Sequence, residues 1–380
     1  MSWTDAAVPN AAGILRTPFA PVGDAFAENF RNGQELGASF AAFKNGEMIV
    51  DIRGGFVDRK KEHPWTDDAI ACIYSSGKAV MSFLIARAVS DGVLEYDKPV
   101  AAFWPEFGAG GKTEITIAQM LSHQGGMAGF KKEMPPESWL DWDLITKKIA
   151  AMEPLWEPGS ASGYHPQIVG YIAGELLQRV TGKTAGALIR EITEPNDLSL
   201  YCGLGETDMA RTSYMPKPPK APDLGVMNEF KKYAFLKPWS APARVSREGW
   251  MAAEIPASNM HSSARALAAI VHPFANDGAD TGGKRVLEQS AIDAALKERV
   301  CGDDLVLPFR LSWAAGMMRN INRHFGPNEN AYGHAGFGGS CVVVDPENNL
   351  TIAYVMNKMS PYLVGDPRAV HLVDALYDCL

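Results

Sequence analysis

The sequence predicts an α+β fold, an α/β sandwich in which helices flank one antiparallel sheet built from both ends of the chain. Three observations indicate this. Strand-like segments lie near the N-terminus, others lie near the C-terminus, and the stretch between them has mostly helical periodicity. We therefore expect a sheet domain formed by residues 1–96 and 285–380, an inserted helical domain at residues 97–284, and a cleft between the two.

A β-hairpin is the first regular structure that the pattern predicts with two matched strands. Residues 1–32 are irregular apart from a predicted helix at 23–31. Residues 38–43 and 48–53 are rich in apolar residues, and a short polar turn containing Asn45-Gly46 joins them. This pattern is typical of two antiparallel strands with a tight connection.

A buried helix is predicted to begin near Ser75. Val80, Phe83 and Leu84 share one face, and the other faces are also mostly apolar. A helix that is apolar nearly all round is a buried helix. It ends near Gly92, a suitable glycine for the residue after a helix C-terminus.

The rest of the chain is mostly helical until its last quarter. A proline-rich stretch at 206–247 predicts a long loop, of the kind that often forms a lid or a pocket wall. Two strands at 341–344 and 350–356 and a helix at 366–380 close the chain. The other predicted helices are at 115–121, 142–152, 168–181, 184–192, 262–274 and 289–299.

Composition excludes several functions. The 380 residues have a net charge of −8 and no basic run interleaved with aromatic residues, so we expect no nucleic-acid partner. No apolar stretch of about 18 residues predicts a membrane span, and no secretory leader is visible, so a cytoplasmic location is expected. The five cysteines are scattered and odd in number, which indicates reduced thiols. Their spacing predicts no metal site, and we expect no cofactor.

Ser75 and Lys78 form a pair with a chemical use. A serine hydroxyl is a weak nucleophile until a base removes its proton, and a lysine one helical turn away can reach it. Burial and the positive end of a helix dipole both lower the pKa of a lysine, which favours the neutral amine. Unpaired N–H groups at the helix N-terminus can also face a developing oxyanion.

Four motifs in this order resemble a known superfamily. They are Ser75-x-x-Lys78, the Leu-Ser-His-Gln-Gly-Gly stretch at 121–126, the stretch at 156–166 that contains Trp-Glu-Pro-Gly and Tyr164, and His-Ala-Gly-Phe at 334–337. The order resembles the serine β-lactamases and penicillin-binding proteins, and most closely the family VIII carboxylesterases with a class C β-lactamase fold. The resemblance covers roughly residues 37 to 356 and implies the β-lactamase/transpeptidase-like form of the predicted fold.

The resemblance implies roles for individual residues. Ser75 matches the acylated serine, Lys78 matches the base or proton relay, and Tyr164 matches the tyrosine of the family's Tyr-x-Asn motif. Whether Lys78 or Tyr164 is the general base stays open. The oxyanion donors would be the backbone N–H groups of Ser75 and Phe337. By the match to the family's Lys-Thr-Gly strand, substrate contacts are expected from His334, Gly336 and Phe337.

Two departures from the family pattern decide between substrates. Pro166 replaces the asparagine of Tyr-x-Asn and has no side-chain amide, and His334 replaces the lysine that anchors a substrate carboxylate. We therefore expect a serine hydrolase that cleaves small carboxylic esters through an acyl-enzyme on Ser75. A β-lactamase or D-amino-acid peptidase is the first alternative, and a non-catalytic binding protein of the same fold is the second.

Two neighbouring histidines and the absence of one serine motif complete the sequence pattern. His123 is expected to be structural, and His165 is expected to face away from Tyr164, because it is the adjacent residue. An α/β-hydrolase needs Gly-x-Ser-x-Gly, and no serine here has glycine on both sides at that spacing.

Overall fold

A nine-stranded antiparallel sheet forms the centre of the molecule in the computed structural model, which describes residues 2–380. Its strand order is β1-β3-β2-β12-β11-β10-β9-β8-β7, and a separate three-stranded sheet has the order β4-β6-β5. The strands are β1 Ala12–Leu15, β2 Gly37–Lys44, β3 Glu47–Gly55, β4 Ala71–Cys72, β5 Leu200–Tyr201, β6 His261–Ser262, β7 Val300–Asp303, β8 Arg310–Trp313, β9 Met318–Arg319, β10 Tyr332–Ala335, β11 Cys341–Asp345 and β12 Leu350–Met356.

Most of the helices lie between β4 and β7 in the chain, as predicted. Within residues 2–380 none of them is long and apolar enough to cross a membrane. The helices are α1 Ala20–Arg31, α2 Gly77–Ser90, α3 Val100–Phe103, α4 Ile117–Leu121, α5 Trp142–Ala151, α6 Ile168–Thr181, α7 Ala185–Thr193, α8 Glu206–Ala210, α9 Glu229–Lys231, α10 Arg247–Ala252, α11 Ala264–Val271, α12 Gln289–Leu296 and α13 Pro367–Tyr377.

The pairing of β2 with β12 joins the two ends of the chain. Ala38 lies opposite Met356 and Lys44 opposite Leu350, so the strands pair antiparallel along their whole length. This confirms the predicted antiparallel sheet built from both termini. The register places apolar residues of both strands on both faces of the sheet.

Successive residues of each central strand face two different apolar cores. In β11, Val342 and Val344 belong to the core that contains α2 and α11, whereas Val343 belongs to the core that contains α1 and α13. Side chains alternate between faces with a period of two, so both faces of the sheet are covered by helices. The α/β sandwich predicted from the sequence is confirmed.

The division of the chain into domains at residues 96 and 284 stays a prediction. Helix α11 precedes the second boundary in the chain and packs directly on β2 and β12. Helix α2 packs against α6, α11 and α12, so it lies between the sheet and the helical segment. The start of α2 is therefore held from both sides.

Several short elements differ from the sequence prediction. Strands β1, β7, β8 and β9 have two to four residues each and lie toward the two edges of the sheet, so they show no alternation long enough to recognise. The helix predicted at 289–299 is wrong at its end, because α12 stops at Leu296 and β7 begins at Val300. The loop predicted at 206–247 begins instead with the short helix α8, Glu206–Ala210. Between Thr212 and Ser246 the chain contains α9 and one further helical turn at Lys232–Leu236, and is otherwise loop.

Candidate active site

Ser75 lies in a short 3₁₀ turn, Tyr74–Ser76, directly before α2. The sequence placed Ser75 in the first turn of the helix, but the α-helix begins two residues later, at Gly77. Tyr74 has φ 44°, a left-handed backbone conformation that is costly for a bulky residue. The residue before the turn is fixed by a backbone bond, since the Ile73 N–H donates to Met260 O at 2.9 Å.

Lys78 is buried and surrounded by three oxygen atoms. Its Nζ lies 2.9 Å from Ser75 Oγ, 2.9 Å from the Pro166 carbonyl and 2.9 Å from the Ala257 carbonyl. Burial holds the pKa of the Lys78 ammonium well below its usual range. The two carbonyls only accept hydrogen bonds, so they take both N–H groups of a neutral amine, and its lone pair then faces Ser75 Oγ.

Tyr164, which lies 89 positions further along the chain, contacts the same serine. Its hydroxyl lies 2.7 Å from Ser75 Oγ, and its ring stacks on Trp313 with centroids 5.9 Å apart. Its backbone N–H donates to the buried Asp304 carboxylate at 2.9 Å. Burial raises the pKa of Tyr164, so the phenol is neutral and donates its proton toward Ser75.

The residues that follow β10 pack closely against the turn that carries Ser75. A Cβ atom at Gly336 would lie 2.2 Å from Ile73 O and 2.1 Å from Ser340 Oγ, so only glycine fits there. Ser340 Oγ donates to Ile73 O at 2.8 Å and lies 3.0 Å from Ser76 Oγ. The sequence analysis missed Ser76 and Ser340, because two isolated serines carry no pattern.

Two backbone N–H groups near this contact have no acceptor among residues 2–380. They belong to Ser75 and Phe337, the pair predicted as oxyanion donors. Phe337 also lines the cavity that contains Ser75, and its ring packs edge-on against Tyr74 with centroids 5.8 Å apart. Two free donors at a helix N-terminus and a strand end suit a developing negative charge.

His334 lies behind the cavity and not in its wall. The residue is fully buried, and Nδ1 lies 2.9 Å from the Ala335 carbonyl, so Nδ1 carries the proton. Burial, with the neighbouring Lys78 charge, lowers the pKa of His334 to about 3. Gly336 is likewise absent from the cavity wall, whereas Ala335 and Phe337 line it. The direct substrate contacts expected of His334 and Gly336 are thus not a feature of this structure.

His123 and His165 form a buried pair next to Tyr164. Their Nδ1 atoms are 3.1 Å apart, and His165 Nε2 accepts the Met127 N–H at 2.6 Å, so His165 holds its proton on Nδ1. The His123 ring packs edge-on against Tyr164 and Trp313, with centroids 4.8 and 4.4 Å away. Burial lowers the pKa of both histidines. The sequence analysis expected His165 to face away from Tyr164, as adjacent residues of a strand do. Residues 163–166 are irregular in the structure, and the sequence does not show that the alternation fails there.

A cavity of about 920 Å³ opens over the serine. Its wall contains Ser75 and Tyr164 together with residues of the long loop at 215–247. Most of the wall is apolar, and its larger apolar members include Phe235, Leu236, Trp250, Met318, Phe337 and Leu363. The arrangement can bind a small organic molecule next to a serine that has a base and a proton donor within hydrogen-bond distance.

An α/β sandwich with a serine at a helix start, in hydrogen-bond contact with a buried lysine and a buried tyrosine, defines a class, the hydrolases with the serine β-lactamase fold. The Beta-lactamase family model matches residues 24–375, and the chain therefore belongs to this family.

Three proteins are similar to this chain over most of its length. A penicillin-binding protein homolog from Caulobacter crescentus has 45% identity and a TM-score of 0.95, covering 98% of this chain and 100% of its own. A structure described as a family VIII carboxylesterase has 35% identity and a TM-score of 0.91 over 98% and 100% of the two chains. The Esterase/beta-lactamase LipL of Mycobacterium tuberculosis is 30% identical over 93% of this chain and 85% of its own length.

Proposed function

We propose that this protein hydrolyses small carboxylic esters through an acyl-enzyme on Ser75. The observation that carries the proposal is the contact of Ser75 Oγ with Lys78 Nζ at 2.9 Å and with the Tyr164 hydroxyl at 2.7 Å, beneath a largely apolar cavity. The names of two relatives, a family VIII carboxylesterase and an esterase/β-lactamase, support the same substrate class.

In the first step Lys78 acts as the general base. Its two N–H groups remain with the Pro166 and Ala257 carbonyls, so its lone pair accepts the Ser75 proton as Oγ attacks the ester carbonyl. The carbonyl oxygen becomes an oxyanion and accepts the N–H groups of Ser75 and Phe337. We therefore propose Lys78, and not Tyr164, as the general base that the sequence leaves open between the two.

Tyr164 acts in the collapse of the tetrahedral intermediate. The carbon–oxygen bond to the alcohol breaks, the neutral Tyr164 phenol gives its proton to the departing alkoxide, and Lys78 returns the serine proton to Tyr164. Water then attacks the acyl group by the same route in reverse. Its proton passes to the Tyr164–Lys78 pair and from there to Ser75 Oγ, and a carboxylic acid is released.

Turnover of short p-nitrophenyl esters tests the proposal. The Ser75→Ala variant is expected to lose at least about a thousandfold in kcat, by analogy with nucleophile removal in serine hydrolases. Ser290→Ala, an exposed serine on α12, is the matched control and should keep full activity. A fluorophosphonate probe should label the wild type and not Ser75→Ala. Full activity in Ser75→Ala, or no labelling of folded wild type, contradicts the proposal.

β-Lactam hydrolysis is a second candidate, since one relative is named esterase/β-lactamase. Two residues make this candidate weaker. Pro166 lacks the side-chain amide, and His334 lacks the ammonium, that the related enzymes use at those positions. Nitrocefin turnover faster than that of any simple ester would reverse the ranking.

The cytoplasmic location remains part of the proposal, and the five cysteines are free thiols as this location requires.

A further inference from the structure

We propose that the preferred ester substrates carry an anionic group, such as a carboxylate, away from the scissile bond, and that basic side chains in the cavity wall bind it. This inference rests on the proposed esterase function and narrows its substrate class. It concerns cavity-lining residues of the loop at 215–247, and not the β10 position that the sequence analysis matched to a carboxylate anchor.

The charges in the cavity wall all have one sign. Lys217, Lys220, Arg244 and Arg247 line the same cavity as Ser75, and no aspartate or glutamate of residues 2–380 is among the lining residues. The chain as a whole has 44 acidic and 36 basic residues. Acidic residues outnumber basic ones in the chain, yet every Asp, Glu, Lys or Arg residue in the cavity wall is basic. This positive wall favours an anion inside the cavity.

None of these four cations is engaged within the protein. In the described part of the chain they make no ion pair and no side-chain hydrogen bond. Basic residues with a structural task behave differently, since Arg211 pairs with Asp208, and Lys231 donates to two loop carbonyls at 2.6 and 2.9 Å. The four cations are thus available to a ligand.

Nearby carboxylates do not neutralise the group. Asp223 accepts the Gly225 N–H at 2.7 Å and faces its own turn, and Glu248 is exposed outside the wall. The cations also come from two separate stretches of chain, at 217–220 and 244–247, and both stretches line the cavity.

The backbone around the cations is constrained. Pro218 and Pro242 also line the cavity, and proline fixes φ and lowers the flexibility of each stretch. Arg244 has φ 60°, in the left-handed region, which is costly for a residue other than glycine. The fold therefore holds Arg244, a residue of the cavity wall, in a costly backbone conformation.

Two matched pairs of esters test the inference and distinguish the side of the ester that carries the charge. For the acyl side, mono-p-nitrophenyl adipate is compared with p-nitrophenyl hexanoate. For the alcohol side, 4-acetoxybenzoate is compared with its methyl ester. At low salt the anionic member of at least one pair should have the higher kcat/KM, and added salt should reduce this preference because exposed charges are screened.

The variants Lys217→Gln/Lys220→Gln and Arg244→Gln/Arg247→Gln should each lower the anionic-to-neutral ratio of kcat/KM roughly two- to thirtyfold, as expected for two exposed charge contacts. Lys60→Gln/Lys147→Gln removes the same charge from the exposed surface away from the cavity and should leave the ratio unchanged.

A ratio that is unchanged in both cavity variants, or a wild-type ratio that salt does not alter, overturns the inference. The salt experiment needs no substitution, so it decides even if a variant fails to fold. Hydrolysis of the neutral esters alone would leave the proposed esterase function standing and refute only this inference. Hydrolysis of none of the four esters would refute the esterase function itself.

Discussion

Lys78 is a buried base without a neighbouring carboxylate to hold its proton. Desolvation alone accounts for the lowered pKa, and the two carbonyls at 2.9 Å fix the direction of its lone pair. Proteins rarely bury a lysine in this way without a function, because the charged form is disfavoured by several kcal/mol or more. The cost is consistent with a residue that must be neutral to act.

The pH dependence of activity follows from the direction of this shift. The active form is the neutral amine, so kcat/KM falls only when pH falls through the folded pKa of Lys78, which lies well below 10.5. For p-nitrophenyl butyrate, kcat/KM should therefore level off well below pH 10.5, where an ordinary lysine is still largely protonated. An ordinary lysine would give a rise of about tenfold per pH unit. That rise, or activity in Lys78→Arg, whose guanidinium stays protonated, would contradict the assignment.

His334 leads to a different expectation once its burial is known. The sequence match to an anchoring lysine suggests that His334→Lys favours substrates with a carboxylate. His334 is 0% exposed, and burial lowers its pKa, so an ammonium at this position would be buried and unpaired.

The His334→Lys variant should lose at least about 2 kcal/mol of unfolding free energy, measured by urea titration, with no gain in the nitrocefin to p-nitrophenyl acetate ratio. His334→Gln keeps the site neutral and is the control for the change of shape. A folded His334→Lys variant with a raised ratio would restore the anchor position to His334.

At the scale of single elements, the end of β10 determines where the second oxyanion donor lies. Gly336→Ala forces the strand away from the Ser75 turn, because the new methyl group meets Ile73 O and Ser340 Oγ. We expect kcat to fall about 10²–10³-fold with little change in KM, as when one oxyanion donor is lost. Gly302→Ala in β7 has nothing within 4 Å of its Cβ and should be neutral. An equal change in both variants would contradict this role of Gly336.

The long loop at 215–247 depends on a buried lysine. Lys231 is 5% exposed, and its Nζ donates to Leu224 O and Val226 O. Leu224 lines the cavity, so Lys231→Met should loosen this part of the wall. We expect KM for long p-nitrophenyl esters to rise several-fold, while acetate hydrolysis stays close to wild type. Lys232→Met, at the exposed neighbour, is the control, and an identical profile for the two variants would refute the prediction.

At the scale of the whole molecule, an ionic cluster ties both chain ends to the loop after β10. Arg368 of α13 bonds Asp366 at 2.8 Å, Glu35 at 3.2 Å and the Gly338 carbonyl at 3.0 Å. Tyr354 of β12 also contacts Glu35. The cluster therefore connects the segment before β2, the last helix and the backbone next to Phe337.

Glu35 makes the stability of the fold depend on pH. Burial raises its pKa from 4.5 to about 7, so the folded state binds a proton that the unfolded state has released between these values. This contribution is complete below pH 4.5 and is lost as pH rises through about 7. Wild type should lose up to about 3 kcal/mol of unfolding free energy relative to Glu35→Gln between pH 4.5 and 8. Urea titrations at both pH values measure it, and a constant difference would contradict the shift.

The sequence by itself determined the elements whose information is local. The hairpin, α2, α6 and β12 follow from the periodicity of apolar residues, since packing against one core imposes a fixed spacing. The Ser75–Lys78 proximity is also local, because three residues along a helical start bring two side chains to one face. The antiparallel sheet from both termini followed from where the strands lie in the chain.

Only the tertiary structure decided what depends on distant segments. Tyr164 meets Ser75 from 89 positions away in the chain, and no periodicity encodes that contact. His334 shares its motif position with a substrate anchor, yet it lies buried behind the cavity because β10 is covered on both sides. The positively charged wall of the cavity likewise combines residues 217–220 and 244–247, which line one cavity only in the folded chain. Contacts of this kind depend on the packing of whole elements, and burial then sets the pKa of each group that they enclose.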